Sequence, residues 1–281
     1  MKAKGNKAVA LKVLLYLILA IYAVTTLYPF LWAIAASFEP LKVIVSGTMS
    51  LIPKEATLAN YQYILGAGGS QFGQWFINSV IISVIGTVIN VFFNSMAGYS
   101  LARLTYPGRN QIYWIFLALM MVPGQVLLVP NYVLMTNLGL IDTMQAMILP
   151  AAINISFIFM MRQFFLSFPK DVEEAATIDG LSNTAVFFRI VMPMARPSIA
   201  TQAVFIFMGF WNNFSNAIWY LKSPGNYTLT QGLQTLISSN GHSNFWNLGM
   251  AGSVITIIPI VIIYIIFNKY LLQGVRMDGE K

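Results

Sequence analysis

Long apolar runs, nearly free of charge, alternate along this chain with short polar intervals. A helix needs about 20 consecutive apolar residues to cross a bilayer. Runs of that kind lie at roughly Leu11–Ala36, Phe76–Ala102, Ile112–Leu134, Met144–Phe165, Ile199–Leu221 and Leu248–Phe267. The pattern predicts six transmembrane helices in an all-α integral membrane protein, packed as a single domain over 1–281. The first run is too long for a signal-peptide core and no small-residue cleavage site follows it, so it reads as a retained span. Between the first and second runs, Ser37 to Gln74 is wetter, with Glu39, Lys42, Lys54 and Glu55.

One interval breaks the rhythm. "FPKDVEEAATIDGLSNTAVFFRIVMPMARP", Phe168 to Pro197, is charged and punctuated between two greasy runs. Pro169 suits a first helical turn, where its missing N–H costs nothing. Asp171, Glu173 and Glu174 then face the positive end of the helix dipole. Val172, Ala175 and Ala176, at i, i+3 and i+4, form a small apolar stripe. Asp179-Gly180 ends this helix, glycine being the usual residue for a left-handed C′ position. Ser182 or Asn183 caps a second short helix through Phe187 and Ile190, which Pro193 and Pro197 break. Helices that lie on membranes favour Lys and Arg on their polar face. This one shows acids, which points to a basic protein partner.

Composition agrees with lipid as the solvent: 57% of residues are hydrophobic and only 9% charged, against about 25% charged in soluble domains. The net charge of +7 is distributed by topology. With the N-terminus inside, the inner segments hold Lys2, Lys4, Lys7, Lys12, Arg103, Arg109, Arg162, Lys170, Arg189, Arg196, Lys269, Arg276 and Lys281. The outer ones hold only Lys42, Lys54 and Lys222. The positive-inside rule then predicts cytoplasmic termini and a cytoplasmic location for Phe168–Pro197. Trp32, Trp75, Trp114, Trp211 and Trp219 fall near span ends or polar breaks, where they either anchor at headgroup depth or pack between helices.

The missing chemistry narrows the function. No cysteine is present, and His242 is the only histidine, placed by the pattern in an outer loop, so no metal site is expected. No G-x-x-x-x-G-K-[ST] phosphate loop occurs. No nucleophile–base pair or facing carboxylate pair suggests catalysis, so the chain reads as a non-enzyme. None of the nine acids lies in the middle of a predicted span, where ion-coupled carriers keep their relays. If the protein pumps, its energy comes from another chain. A stand-alone secondary carrier or channel for a small polar solute is the alternative. A membrane scaffold fits less well, because several asparagines lie within the spans.

"EAATIDGLSNTAVFFRIVMP", Glu174 to Pro193, resembles the EAA loop of binding-protein-dependent ABC importer permeases. Glu174, Ala175, Ala176, Asp179, Gly180, Phe187, Ile190 and Pro193 fall in register with it. "INSVIISVIGTVINVFFNSMAGYSLARLTYPGRN", "MVPGQVLLVPNYVLMTNLGLIDT", "FFLSFPKDVEEAA" and "FWNNF" are similar to the carbohydrate branch. Its second-permease subtype, as in maltose- or multiple-sugar-type importers, is the nearest match. The tail "GVRMDGEK" departs from the glycine-rich ending common in that family.

The resemblance implies a multi-pass protein of a bacterial or archaeal cytoplasmic membrane. Its loop would be a coupling helix seated in a cleft of a cytoplasmic ATPase, with Glu174 meeting a basic residue and Gly180 allowing the turn. Expected partners are a homologous second permease, two ATPase subunits that bind ATP and Mg, and an extracytoplasmic solute-binding protein. This chain itself would hold no cofactor and no metal. For a sugar path, a hydroxyl-rich ligand needs amides and aromatic faces. Gln125, Asn131, Asn154, Trp211, Asn212 and Asn213 supply them, although intramembrane asparagines also bond between helices without touching a ligand.

Overall fold

The computed structural model describes residues 2–47, 49–66, 71–238 and 245–277; His242 and Asp278–Lys281 lie outside the described residues. The described residues form helices joined by turns and irregular segments, with no strand among them. Two compact units are present: residues 1–72 with 233–257, and residues 73–232 with 258–281.

The first unit begins with helix α1, Lys2–Ser37, which beyond Lys12 is apolar around its whole circumference. Val13, Tyr16, Leu19, Ile21 and Val24 are all more than half exposed. Side chains like these on every face of a helix are stable only where the surroundings are hydrocarbon. Beyond α1 the wetter segment folds into short helices α2 (Leu41–Val45) and α3 (Ala59–Leu65). It is held to the end of α1 by amides: Asn60 Nδ2 donates to the carbonyls of Ser37 and Glu39, both at 2.9 Å. The buried Glu39 carboxylate accepts the Lys54 N–H at 2.8 Å. Asn247 then donates to Asn60 Oδ1 at 2.7 Å, which ties the last long helix of the chain to this knot.

The second unit is built around helix α4, Phe72–Arg103, which is inside-out by the standards of a soluble protein. Ile77, Val84, Ile85, Val88, Phe92 and Phe93 are exposed, whereas Asn78, Ser79, Ser83, Asn90, Asn94 and Ser95 are buried. Ser79, Ser83, Asn90 and Asn94 follow one another at steps of four and seven, so they form one stripe, with Asn78 and Ser95 beside it. Burying them without partners would be costly, and most have partners. Asn78 Nδ2 donates to the Gly225 and Tyr227 carbonyls at 2.9 and 3.0 Å. Ser79 Oγ accepts the Leu229 N–H at 2.7 Å, and Gln202 Nε2 donates to Ser95 Oγ at 2.9 Å.

Three of the expected straight spans are broken. α5 (Arg109–Leu119) and α6 (Leu128–Asn137), with a 3-10 turn at Gly124–Leu127, meet at 94°. Pro123 precedes the turn in extended geometry, where its ring cannot continue a helix. α7 (Met144–Ile148) and α8 (Ile155–Ser167) meet at 46°, through a 3-10 turn that carries Pro150. The expected fifth span is cut between α12 (Arg196–Trp211) and α13 (Phe214–Tyr220). There Asn212 donates to the Met208 carbonyl at 3.0 Å and Asn213 Oδ1 accepts the Asn216 N–H at 3.1 Å.

Among the described residues, only α1, α4 and α15 (Trp246–Met277) are single helices long and apolar enough to cross a membrane; counting each bent pair as one span raises the number to as many as six. α14 (Leu229–Ser238) precedes α15. Trp75 and Trp211 are buried, Trp75 Nε1 donating to the Pro224 carbonyl at 2.8 Å, while Trp114 and Trp219 are exposed.

Candidate functional site

The interval Phe168–Pro197 folds as the helix–turn–helix that its sequence predicts. α9 spans Lys170–Ile178, with Pro169 at its N-cap rather than in its first turn, and with Asp171 and Glu173 at the positive end of its dipole. Its end is a Schellman turn: Gly180 N–H reaches the Thr177 carbonyl and Leu181 N–H the Ala176 carbonyl, both at 3.0 Å. Gly180 has φ +86°, with no atom within 4 Å of where a Cβ would sit, so glycine is required there by backbone conformation alone. Ser182, not Asn183, caps α10 (Asn183–Val186), its Oγ accepting the Ala185 N–H at 3.3 Å.

The second short helix departs from the expected form. After α10 the chain widens into a π-turn over Phe187–Val191, then forms α11 (Met192–Met194). Pro193 has no N–H to return to the Arg189 carbonyl, and a wider turn just before it accommodates that loss. The bend falls at Ala195, where Asn183–Met194 and Arg196–Trp211 meet at 78°.

The apolar stripe Val172, Ala175 and Ala176 divides between the inner and outer sides of α9. Val172 and Glu173 are part-buried and Ala176 is 5% exposed, whereas Glu174, Ala175, Ile178 and Asp179 are exposed. Ala176 packs with Val186, Phe187 and Val191 against Tyr99, Ala102, Met161 and Phe165, with Ile190 at the edge of the cluster. So Ala176, Phe187 and Ile190 hold the motif together, Glu174, Ala175 and Asp179 present its surface, and Gly180 and Pro193 shape its turns.

Sequence reasoning missed an ion pair. Arg103 Nε lies 2.9 Å from Glu173 Oε1, with side chains only 6% and 14% exposed. Tyr99 OH donates to the other carboxylate oxygen at 3.0 Å. Arg103 Nη2 also donates to the Phe168 carbonyl, at the joint between α8 and α9. Arg103 and Glu173 were each in view, but 70 positions of chain separate them and no local spacing announces the pairing.

The six candidate path residues do not converge as a set. Asn154 and Asn213 line one cavity of about 130 Å³, together with Asn90, Phe157, Phe205 and Phe210. Gln125 is exposed in the 3-10 turn and Asn131 is half-buried on α6; neither lines that cavity. Trp211 is 1% exposed and stacks on Phe207 at 5.6 Å, away from it as well. Asn212 closes the end of α12, its amide on the Met208 carbonyl.

Asn90 and Asn94, which sequence reading did not single out, complete the break between α7 and α8. Asn90 Nδ2 donates to the Ala151 carbonyl, and Asn94 Oδ1 accepts the Asn154 N–H at 3.0 Å. Asn154 Oδ1 in turn caps α8 through the Ser156 N–H at 3.0 Å. Irregular backbone at membrane depth survives only where protein groups satisfy it, and here α4 supplies them. The visible signal was the run of polar residues on α4 at helical spacing.

The described residues thus form broken, apolar helices of membrane-spanning composition, with a polar helix–turn–helix between α8 and α12. A solved structure shares this fold, with TM-score 0.83 and 23% identity, covering 93% of this chain and 96% of its own; it is described as a bacterial ABC transporter involved in the import of the acidic polysaccharide alginate. Residues 94–277 match the binding-protein-dependent transport system inner membrane component family, to which this chain belongs. Among its relatives, the arabinooligosaccharides transport system permease protein AraQ of Halalkalibacterium halodurans is 38% identical over 93% of this chain and 94% of its own. The inner membrane ABC transporter permease protein YcjP of Escherichia coli is 33% identical over 98% and 99%. The diacetylchitobiose uptake system permease protein NgcG of Streptomyces coelicolor is 33% identical over 92% and 85%. The chain is thus a transport permease and not an enzyme.

Proposed function

We propose that this permease carries a sugar or oligosaccharide into the cell by alternating access, as one of two homologous permease subunits driven by two cytoplasmic ATPases. The six spans in this reading are α1, α4, α5 with α6, α7 with α8, α12 with α13, and α15, with both termini and α9–α10 in the cytoplasm of a bacterium or archaeon. A solute-binding protein outside the cell delivers the cargo, and ATP and Mg are bound by the ATPases. The observation that carries the reading is α9. A short helix fixed from behind by buried contacts presents Glu174, Ala175, Ile178 and Asp179 outward. That surface, acidic with one projecting apolar side chain, suits a basic cleft on a motor subunit. The names of the relatives, arabinooligosaccharides and diacetylchitobiose among them, support a carbohydrate cargo. The cavity of Asn90, Asn154 and Asn213 beside Phe157, Phe205 and Phe210 offers the amides and ring faces that one sugar edge requires.

Co-purification of the chain with its ATPase from native membranes, followed by uptake of labelled arabino- or chito-oligosaccharides into proteoliposomes, tests this. Glu174→Lys should release the ATPase while the fold persists. An ATPase that stays bound to that variant refutes Glu174 as the docking charge, and uptake without any ATPase refutes the importer reading.

A further inference from the structure

The Arg103–Glu173 pair is a buried charge tie that the motif's surface does not need. It joins α9 to a helix far away in sequence. Tyr99 and Arg103 stand one helical turn apart on α4 and together hold both oxygens of the Glu173 carboxylate. Arg103 also holds the Phe168 carbonyl, so a single side chain pins α9 and the α8–α9 joint to the end of α4. Tyr99 adds ring contacts, centroid to centroid at 4.9 Å with Phe187 and 5.6 Å with Phe165. Further back along the same continuous helix, Gln202 donates to Ser95, and Asn94 and Asn90 hold the broken backbone at Asn154 and Ala151. Gly98 lets α8 come close: a Cβ there would stand 2.8 Å from Met161 Cβ.

From this we infer that Glu173, with Arg103 and Tyr99, is a positioning group. It makes α9 and α4 move as one body, so that force on the exposed face of α9 reaches the asparagine cavity through α4 and not only through the chain neighbours of α9. Glu173 and Glu174, adjacent in sequence, thereby have opposite duties: Glu174 faces outward toward a partner and Glu173 faces inward toward its own chain. The inference rests on the coupling role proposed above.

The test uses the assembled importer and Glu173→Gln, which keeps shape and Tyr99 contact while removing the charge. The ATPase should remain bound in wild-type amount, whereas sugar imported per ATP hydrolysed should fall about tenfold, the order expected when one member of a largely buried ion pair loses its charge. Tyr99→Phe should give a smaller loss of the same kind. Exchange of the pair, Arg103→Glu with Glu173→Arg, should restore part of the coupling that either single change removes. A second readout does not depend on the ATPase. The chain has no cysteine, so spin labels on Phe93→Cys and Lys170→Cys, both exposed, report the α4–α9 distance alone. That distance should be single in the parent protein and broaden in Glu173→Gln. An unchanged distance distribution overturns the tie. A released ATPase makes Glu173 a docking residue instead, and unchanged coupling removes its role. If the parent chain binds no ATPase, the proposed function fails while the distance measurement still judges the tie.

Discussion

Helices α1 and α4 are both long and apolar enough to cross a bilayer, yet none of the most apolar window of α1 is buried within the chain, against 33% of that of α4. α1 is greasy on every side and offers its own chain little but its last turn, where Ala35, Ala36 and Ser37 are buried. α4 is as apolar in its most hydropathic window but exposes fewer apolar side chains and threads a buried polar stripe through its other face. Apolar content therefore says where a helix dissolves, and its polar positions say which side meets protein. In lipid the hydrophobic effect does not sort one apolar face from another, so close packing and satisfied polar groups do the sorting.

The comparison can be broken most severely at the end of α4. Arg103→Met leaves the Glu173 carboxylate buried beside a methionine, and should cost about 3–5 kcal/mol of stability, the usual penalty for orphaning a buried charge. Thermal unfolding in detergent reads this, and an unchanged midpoint would mean that the inner face of α4 anchors nothing.

Next comes Asn94→Leu, which removes the acceptor of the Asn154 N–H and should cost about 1–3 kcal/mol. Hydrogen exchange at the α7–α8 break should quicken along with it, and protection equal to that of the parent would show the break to be held from elsewhere.

A smaller effect is expected outside both helices, at Asp142. This residue sits at φ +66° and accepts from the Lys222 and Ser223 N–H groups at 2.8 and 2.9 Å and from the Ser223 hydroxyl. Burial pushes its carboxyl up, but the hydrogen bonds from Ser223, Lys222 and Asn226 outweigh that and bring it from 3.8 down to about 2. A lowered acid stabilises the fold fully above its unfolded pKa, and that contribution is lost as pH falls. The contribution of Asp142 should hold down to about pH 4 and be lost as pH falls toward about 2. Asp142→Asn should flatten that part of a stability-against-pH curve, and an identical acid limb in both proteins would refute the clamp.

The smallest effect belongs to α1. Leu17→Ala, on a residue 56% exposed, should change the stability of the isolated chain by less than about 0.5 kcal/mol. A larger loss would sharpen the comparison by revealing protein contacts on α1.

Much was legible in advance because its causes are local. Pro169, Asp171, Gly180 and Ser182 act within a few residues of themselves, so the helix–turn–helix could be read from spacing. The apolar runs marked membrane helices for the same reason. Pro123 and Pro150 were visible breakers, but a run of twenty apolar residues reads the same whether straight or bent. The two faces of α9 were not legible, because Ala175 and Ala176 look alike as letters and only what packs behind them separates inside from outside. Of the path candidates, Asn154 and Asn213 share a cavity with Asn90, whereas Asn212 closes the end of its own helix.

By itself the sequence determined the solvent, the class of fold, the polar helix–turn–helix and its register, since each follows from composition or from interactions within about one helical turn. The tertiary structure alone decided which glutamate faces its own chain, which asparagines satisfy broken backbone and where the spans bend. Those outcomes depend on groups such as Arg103 and Glu173, or Asn94 and Asn154, that are distant along the chain and meet only when the helices pack.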